Sequence, residues 1–195
     1  WSSDVCSSDL FTLTASATVK AIASDGTKTS DVTAKEFTAA VETSDIDDFK
    51  QQTDKTVANL ALNNARVVFA DASGRYAYVQ DETGAICFYN TGLGLKTGQT
   101  LNGSVAGTLV IYYALPEFTA NALTSTDKLT LTDGDPVAPS VLSIAEAKSN
   151  ANVCRLVQIS GVKLDSIGKN LYASLNGDTI QVYDTFKTLA QTQLP

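Results

Sequence analysis

The residues best suited to chemistry are aromatic. In the run Arg75-Tyr76-Ala77-Tyr78-Val79-Gln80, the period of two places Tyr76, Tyr78 and Gln80 on one face of a strand and Ala77 and Val79 on the other. In the following run, Cys87 and Tyr89 alternate with Ile86 and Phe88. If the aliphatic set faces a core, then Tyr76, Tyr78 and Tyr89 stand outward, with Arg75 at their border. Adjacent exposed rings can stack on flat sugars or bases. The competing reading is that these tyrosines pack against a neighbouring module, since strands are rich in tyrosine for packing reasons alone.

Catalytic chemistry finds little support. The chain has no His, which removes every mechanism built on imidazole, from Ser-His-Asp hydrolysis to the His-ligated zinc site. Asp81 with Glu82 could ligate a metal. The simpler role for Asp81 is to accept backbone N–H bonds at a turn closed by Gly84, with Gly84 at positive φ. Asp45, Asp47 and Asp48 lack the central Gly and closing Glu of a calcium loop, and acids suit the first turn of a helix. Asp133-Gly134-Asp135 belongs to a linker. No catalytic, metal or cofactor site is expected. The net charge of −7 disfavours a nucleic-acid surface, and residues 51–135 hold 5 basic against 8 acidic side chains. No run approaches the ~20 apolar residues of a membrane-spanning helix.

Strands must position these groups. Residues 17–24 and 31–37 read as two strands joined at Asp25-Gly26, a hairpin signal. Ser44 is expected to cap a short helix burying Ile46 and Phe49. A long strand over Val57–Ala70 comes next, then strands at 75–80 and 85–90 joined by Asp81-Glu82-Thr83-Gly84. Residues 99–113 form a fourth strand, bent at Gly103 and Gly107. Residues 128–132 read as the last, and 133–140 as a linker. The pattern then restarts. Residues 143–148 repeat the capped helix, 153–164 the long strand, and 171–175 with 180–185 the hairpin. Ile180 answers Ile86 at an offset of 94 residues, the mark of a tandem duplication. The second copy is expected to stop before its fourth and fifth strands.

Residues 1–10, WSSDVCSSDL, resemble the in-frame translation of a sequencing adapter and are set aside as extraneous, so the chain is expected to be a fragment truncated upstream. Without Asp4 and Asp9 the net charge is −5. Cys87 and Cys154 then remain, read as small buried hydrophobes or, alternatively, as a bridge between modules.

Two family resemblances sharpen this outline. Residues 17–37, ATVKAIASDGTKTSDVTAKEF, resemble the C-terminal end of the chitobiase/β-hexosaminidase C-terminal domain, an immunoglobulin-like sandwich of secreted bacterial proteins, although that family's Tyr-Thr-x-Asp-Gly motif is missing. Three blocks in order are similar to the OB-fold modules of secreted bacterial nucleases and surface lipoproteins. These are Tyr78-Val79-Gln80-Asp81 with Gly84, Leu95 to Gly98 with Leu101 and Gly103, and Tyr113 with Pro116-Glu117. The implied fold is all-β: an Ig-like remnant (11–42), an OB-like five-stranded barrel (43–135) and a truncated second OB-like barrel (136–195).

The implied function is a non-catalytic accessory or binding segment of a secreted or surface-anchored bacterial multidomain protein. Its expected partners are neighbouring domains of the parent chain and an oligosaccharide bound at Tyr76, Tyr78, Gln80, Tyr89 and Arg75, on the face where OB domains hold ligands. The alternative is a single-stranded nucleic-acid module attached to an extracellular nuclease. Either implies a location outside the cell or on its surface.

Overall fold

The computed structural model describes residues 15–187; the expectation about residues 1–10 lies outside them. The chain divides into two compact units, Trp1–Ala40 and Val41–Pro195. In the first, β1 (Ala17–Ala21) and β2 (Thr33–Phe37) pair antiparallel, with Ala17 opposite Phe37. The expected Asp25-Gly26 turn forms. Asp25 Oδ1 accepts from the Lys28 and Thr27 amides at 2.7 and 2.9 Å, and these bonds hold its carboxyl below the usual range. Gly26 supplies the positive φ of 91°. Nearly every described residue of the hairpin is exposed. The second sheet of an Ig-like sandwich is not among the described residues, and a lone two-stranded ribbon is marginal in water.

The second unit holds a closed five-stranded barrel. Its strands are β4 (Val57–Ala70), β5 (Tyr76–Gln80), β6 (Ala85–Tyr89), β7 (Thr100–Tyr112) and β8 (Leu115–Thr119). They run around the ring in the order β4-β5-β6-β8-β7, and β7 pairs back onto β4 to close it. Only the β6–β8 pairing in the ring is parallel. A short β3 (Val41–Thr43) pairs parallel with the start of β4, so the barrel unit begins slightly before the expected boundary at 43.

β4 serves two neighbours because it bends. Its pairing with β7 shifts register between Leu62 and Ala65, where Asn64 has φ 51°. Ala58, Leu60 and Leu62 face inward before the shift and Ala65 and Val67 after it. An irregularity that adds an odd step exchanges the two faces of a strand, so the inward phase moves from even to odd numbers.

Phe88 and Phe118 stack at 4.4 Å in the core, and Phe49 meets Phe118 at 5.5 Å. Gly107 is bare because of this cluster: a Cβ there would lie 2.2 Å from the Phe118 ring. Phe49 and Ile46, both fully buried, come from α1 (Ile46–Lys50). The cap of α1 is Asp45, not the expected Ser44. Asp45 Oδ1 accepts from the Asp48 amide at 2.9 Å, while Ser44 donates to the Asp45 carboxylate. The start is fixed by tertiary contacts, because the Ile46 amide donates to Asp81 Oδ2 at 3.1 Å.

Two strand assignments change. The fifth barrel strand is β8, which the sequence did not announce. The turn before it uses Tyr113 and Ala114 at φ 47° and 66°, positions where a hairpin ordinarily uses Asn or Gly. Pro116 is tolerated because β8 pairs with β6 only from Glu117 onward. The strand expected at 128–132 is β9 (Leu129–Thr132), which adds to β7 outside the closed ring.

Residues 140–182 carry a similar order of short elements. β10 (Ser140–Val141) pairs parallel with β11 (Val157–Gln158), as β3 does with β4. Between them lies α2 (Ile144–Ala147), closed by a capping box of Ser143 and Glu146. β12 (Lys163–Ile167), β13 (Asn170–Leu175) and β14 (Asp178–Val182) form an antiparallel meander, as do β4, β5 and β6. The long strand expected over 153–164 is broken. Cys154 has φ 66° and Gly161 φ 74°, and only Val157–Gln158 and Lys163 onward are paired. A second closed barrel is not formed among the described residues.

Candidate binding site on the outer face of the barrel

The hairpin register places Tyr76 opposite Tyr89, Tyr78 opposite Cys87 and Gln80 opposite Ala85. Ala77, Val79, Ile86 and Phe88 are buried in the core, so the tyrosines stand on the outer face. That face has two dissimilar halves.

At the Tyr78 end the face is covered. Segment 154–156 lies across it, pinned by the Arg155 guanidinium, which donates to the Asp81 and Glu82 carbonyls at 3.2 and 3.3 Å. The Leu156 amide donates to Gln80 Oε1 at 3.3 Å, so Gln80 serves as part of this clasp. These bonds hold 153–156 on the barrel and explain why the expected second long strand is interrupted. Phe186 meets Phe69 at 4.6 Å with the rings tilted by 43°, and Phe69 lies 6.3 Å from Tyr78. A cavity of about 320 Å³ remains here between Phe69, Tyr78, Cys154 and Phe186. Burial drives the Tyr78 hydroxyl well above its ordinary pKa. It also pushes the Cys87 thiol up to about 12 and the Cys154 thiol up to about 11. Both thiols are free.

At the other end the face is open. The Tyr76 and Tyr89 rings lie 5.2 Å apart, tilted by 56°, and the Arg75 guanidinium sits 5.8 Å from the Tyr89 centroid. Phe186 flanks the far side of Tyr76 at 5.6 Å. Partial burial and the neighbouring Tyr89 raise the Tyr76 pKa. Tyr76, Tyr89, Tyr112 and Glu117 enclose a cavity of about 220 Å³. Tyr112 ends β7, and its ring meets that of Tyr113 edge-on at 4.7 Å. Tyr113 is 91% exposed at a positive φ, which is strained for an aromatic residue.

The structure thus gathers Arg75, Tyr76 and Tyr89, and assigns Tyr78 and Gln80 to packing. It adds Tyr112 and Glu117, which sequence reasoning missed. Glu117 lies on β8, the unannounced strand; the alternation of Glu117 with the core residue Phe118 would have signalled it once 115–119 was read as a strand. The residue is only 6% exposed, its carboxylate oxygens still reach solvent, and no hydrogen bond or ion pair reaches it among the described residues. Burial raises its pKa.

Asp81 holds the turn. Its Oδ1 accepts from the Thr83 and Gly84 amides, both at 2.8 Å. Gly84 does not have the expected positive φ. It is bare because α1 packs on it: a Cβ would meet Lys50 Nζ at 3.2 Å and Ile46 Cγ2 at 3.3 Å. Asp45 and Asp48 are occupied around the start of α1, and Asp133 accepts from Gln99 Nε2 at 2.8 Å.

Comparison with protein-family models, with curated proteins and with solved structures returns no match to the chain. Among the described residues no helix is long and apolar enough to cross a membrane.

Proposed function

We propose that this chain is a non-catalytic binding segment of a secreted or surface-anchored bacterial multidomain protein, and that its barrel is an OB-type module whose ligand is an oligosaccharide. The carrying observation is the convergence of Tyr76, Tyr89 and Tyr112 on one open cavity. Ring order supports the OB reading. Numbered from β4 as the first barrel strand, the order is 1-2-3-5-4, with the third and fifth strands parallel. OB modules bind ligands on the face of strands 2 and 3 and on the loops joining strands 1–2 and 4–5. Tyr76 and Tyr89 come from the first region here, Arg75 from the end of the 1–2 loop, and Tyr112 from the edge of the 4–5 turn.

A sugar ring presents an apolar face to aromatic rings and hydroxyls to a carboxylate such as Glu117. The acidic balance of residues 51–135 favours sugar over the alternative, a single-stranded nucleic acid. Titration calorimetry with a panel of neutral oligosaccharides tests the reading. Stacked rings are worth ~1–3 kcal/mol each, so binding is expected in the micromolar-to-millimolar range. Tyr89→Ala should abolish it with little change in the melt. Tyr78→Ala should instead lower the melting temperature. Salt-dependent binding of an oligonucleotide, with no sugar bound, would decide for the alternative. Binding of neither would overturn the proposal.

A further inference from the structure

The cavity of the open half joins three tyrosines to one carboxylate, that of Glu117. A buried carboxylate is ordinarily matched by hydrogen bonds or by a cation, because removing its charge from water is costly. Glu117 has neither among the described residues; its oxygens keep contact with solvent, unlike Arg66 Nε, the buried side-chain atom left without a partner, and they meet that solvent at a cavity otherwise lined by Tyr76, Tyr89 and Tyr112. Its neighbours across the strands give it nothing: Cys87 on β6 is a thiol and Val110 on β7 is aliphatic. Arg75 does not line this cavity; its guanidinium is placed 5.8 Å from the Tyr89 centroid.

Three electron-rich rings lining a cavity with one carboxylate that has no hydrogen-bond partner form a setting for a cation that is only weakly hydrated. A metal ion fits poorly, since a single carboxylate and phenol rings supply too few oxygen ligands. We propose that the Tyr76–Tyr89–Tyr112–Glu117 cavity binds an organic ammonium group, with the rings contacting its positive face and Glu117 countering its charge. The inference rests on the open half of the outer face being a ligand surface, and it narrows the ligand to one bearing such a group. An amino-substituted sugar satisfies both proposals together.

The test uses the whole chain and simple probes. Tetramethylammonium, methylammonium and the neutral, similarly shaped tert-butanol are titrated at neutral pH, and the tyrosine ring signals are followed by nuclear magnetic resonance. One or both ammonium ions should shift Tyr76, Tyr89 and Tyr112, with tert-butanol binding at least about tenfold more weakly, as a cation–π contribution with a charge partner requires. A preference for methylammonium would show that its N–H groups bond to Glu117; a preference for tetramethylammonium would show that the rings dominate. Glu117→Gln should weaken ammonium binding by about tenfold or more. Should that variant fail to fold, Tyr112→Ala serves in its place, because Tyr112 is 58% exposed and adds little to the core. Equal binding of tert-butanol, no binding of either ammonium ion, or unchanged affinity in the substituted protein would overturn the proposal. A neutral oligosaccharide that still bound in that event would leave the sugar reading standing.

Discussion

The barrel segment and the segment after it, the two copies expected from the sequence, begin alike and end differently. Each has a short strand paired in parallel with the next, a capped helix of one turn or slightly more, and an antiparallel three-stranded meander. The first copy closes into a barrel. The second has only Ile144 and Ala173 buried among its described residues. The difference lies in the strands beyond the meander. In the first copy, β7 returns along β4 and β8 slots between β6 and β7, so no strand of the ring keeps an open edge and the apolar faces meet in one core. In the second, the described strands have no such return, and the segment before its meander is spent on the outer face of the barrel. Recurrence of local elements therefore does not carry closure with it; closure depends on two later strands and on Phe118, which one of them delivers.

The largest effect that would sharpen this contrast is the loss of Phe118. Its ring is fully buried, stacks on Phe88 and also meets Phe49. Phe118→Ala should cost ~3–5 kcal/mol, the usual range for a buried phenylalanine. Chemical denaturation followed by circular dichroism would measure it. A cost below ~1 kcal/mol would mean that the barrel does not depend on β8 for its core.

A smaller effect is expected at the clasp. Arg155 spends its guanidinium on two turn carbonyls of the barrel. Arg155→Ala should cost ~1–3 kcal/mol, since bonds from a charged donor are lost. The loss should be local. Hydrogen exchange should quicken over segment 153–158 and at the amides nearest Tyr78, while β4 and β7 keep their protection. Uniform quickening through the barrel would show that the second copy is a structural part of the first, and would erase the contrast between them.

Sequence reasoning reached the parts governed by local rules. Alternation in 75–80 and 85–90 placed Tyr76 and Tyr89 outward, the acids around 45–48 marked a helix start, and Asp25-Gly26 marked a hairpin. It failed where tertiary contact overrode the local rule. Tyr113-Ala114 makes a left-handed turn without Asn or Gly, so the block Tyr113 to Glu117 was noticed but not read as the start of a strand, and Glu117 was not placed in the site. Tyr78 obeys the same alternation as Tyr76, but only the fold brings 154–156 across it. Gly84 looked like a turn glycine and proves to be a contact with α1. The site was legible as a stripe of rings, while the carboxylate that gives it a charge was not.

The smallest effect concerns that carboxylate and pH. Burial raises the Glu117 pKa, so the folded protein holds this proton more tightly than the unfolded chain does. The stability it contributes is therefore fully present below the ordinary glutamate value, about 4.3, and is lost as pH rises through the raised folded value. Asp25, Asp45, Asp71 and Glu146 act in the opposite sense, because hydrogen bonds lower their pKa and their contributions fade as pH falls. Glu117 is therefore read as the difference between the wild type and Glu117→Gln, in which the other carboxylates cancel. Of the groups facing it, the Tyr76 and Cys87 pKa values are both raised, which keeps their titration out of the acid range. The wild type should lose stability relative to the variant as pH climbs from about 4 to 7. Adding an ammonium ligand should shrink that loss, since a cation beside the carboxylate favours its charged form. Melting curves across this range, with and without tetramethylammonium, would measure both. A difference that ran the other way without ligand would mean that Glu117 has a partner in the folded protein, and the open half of the face would then resemble the covered one.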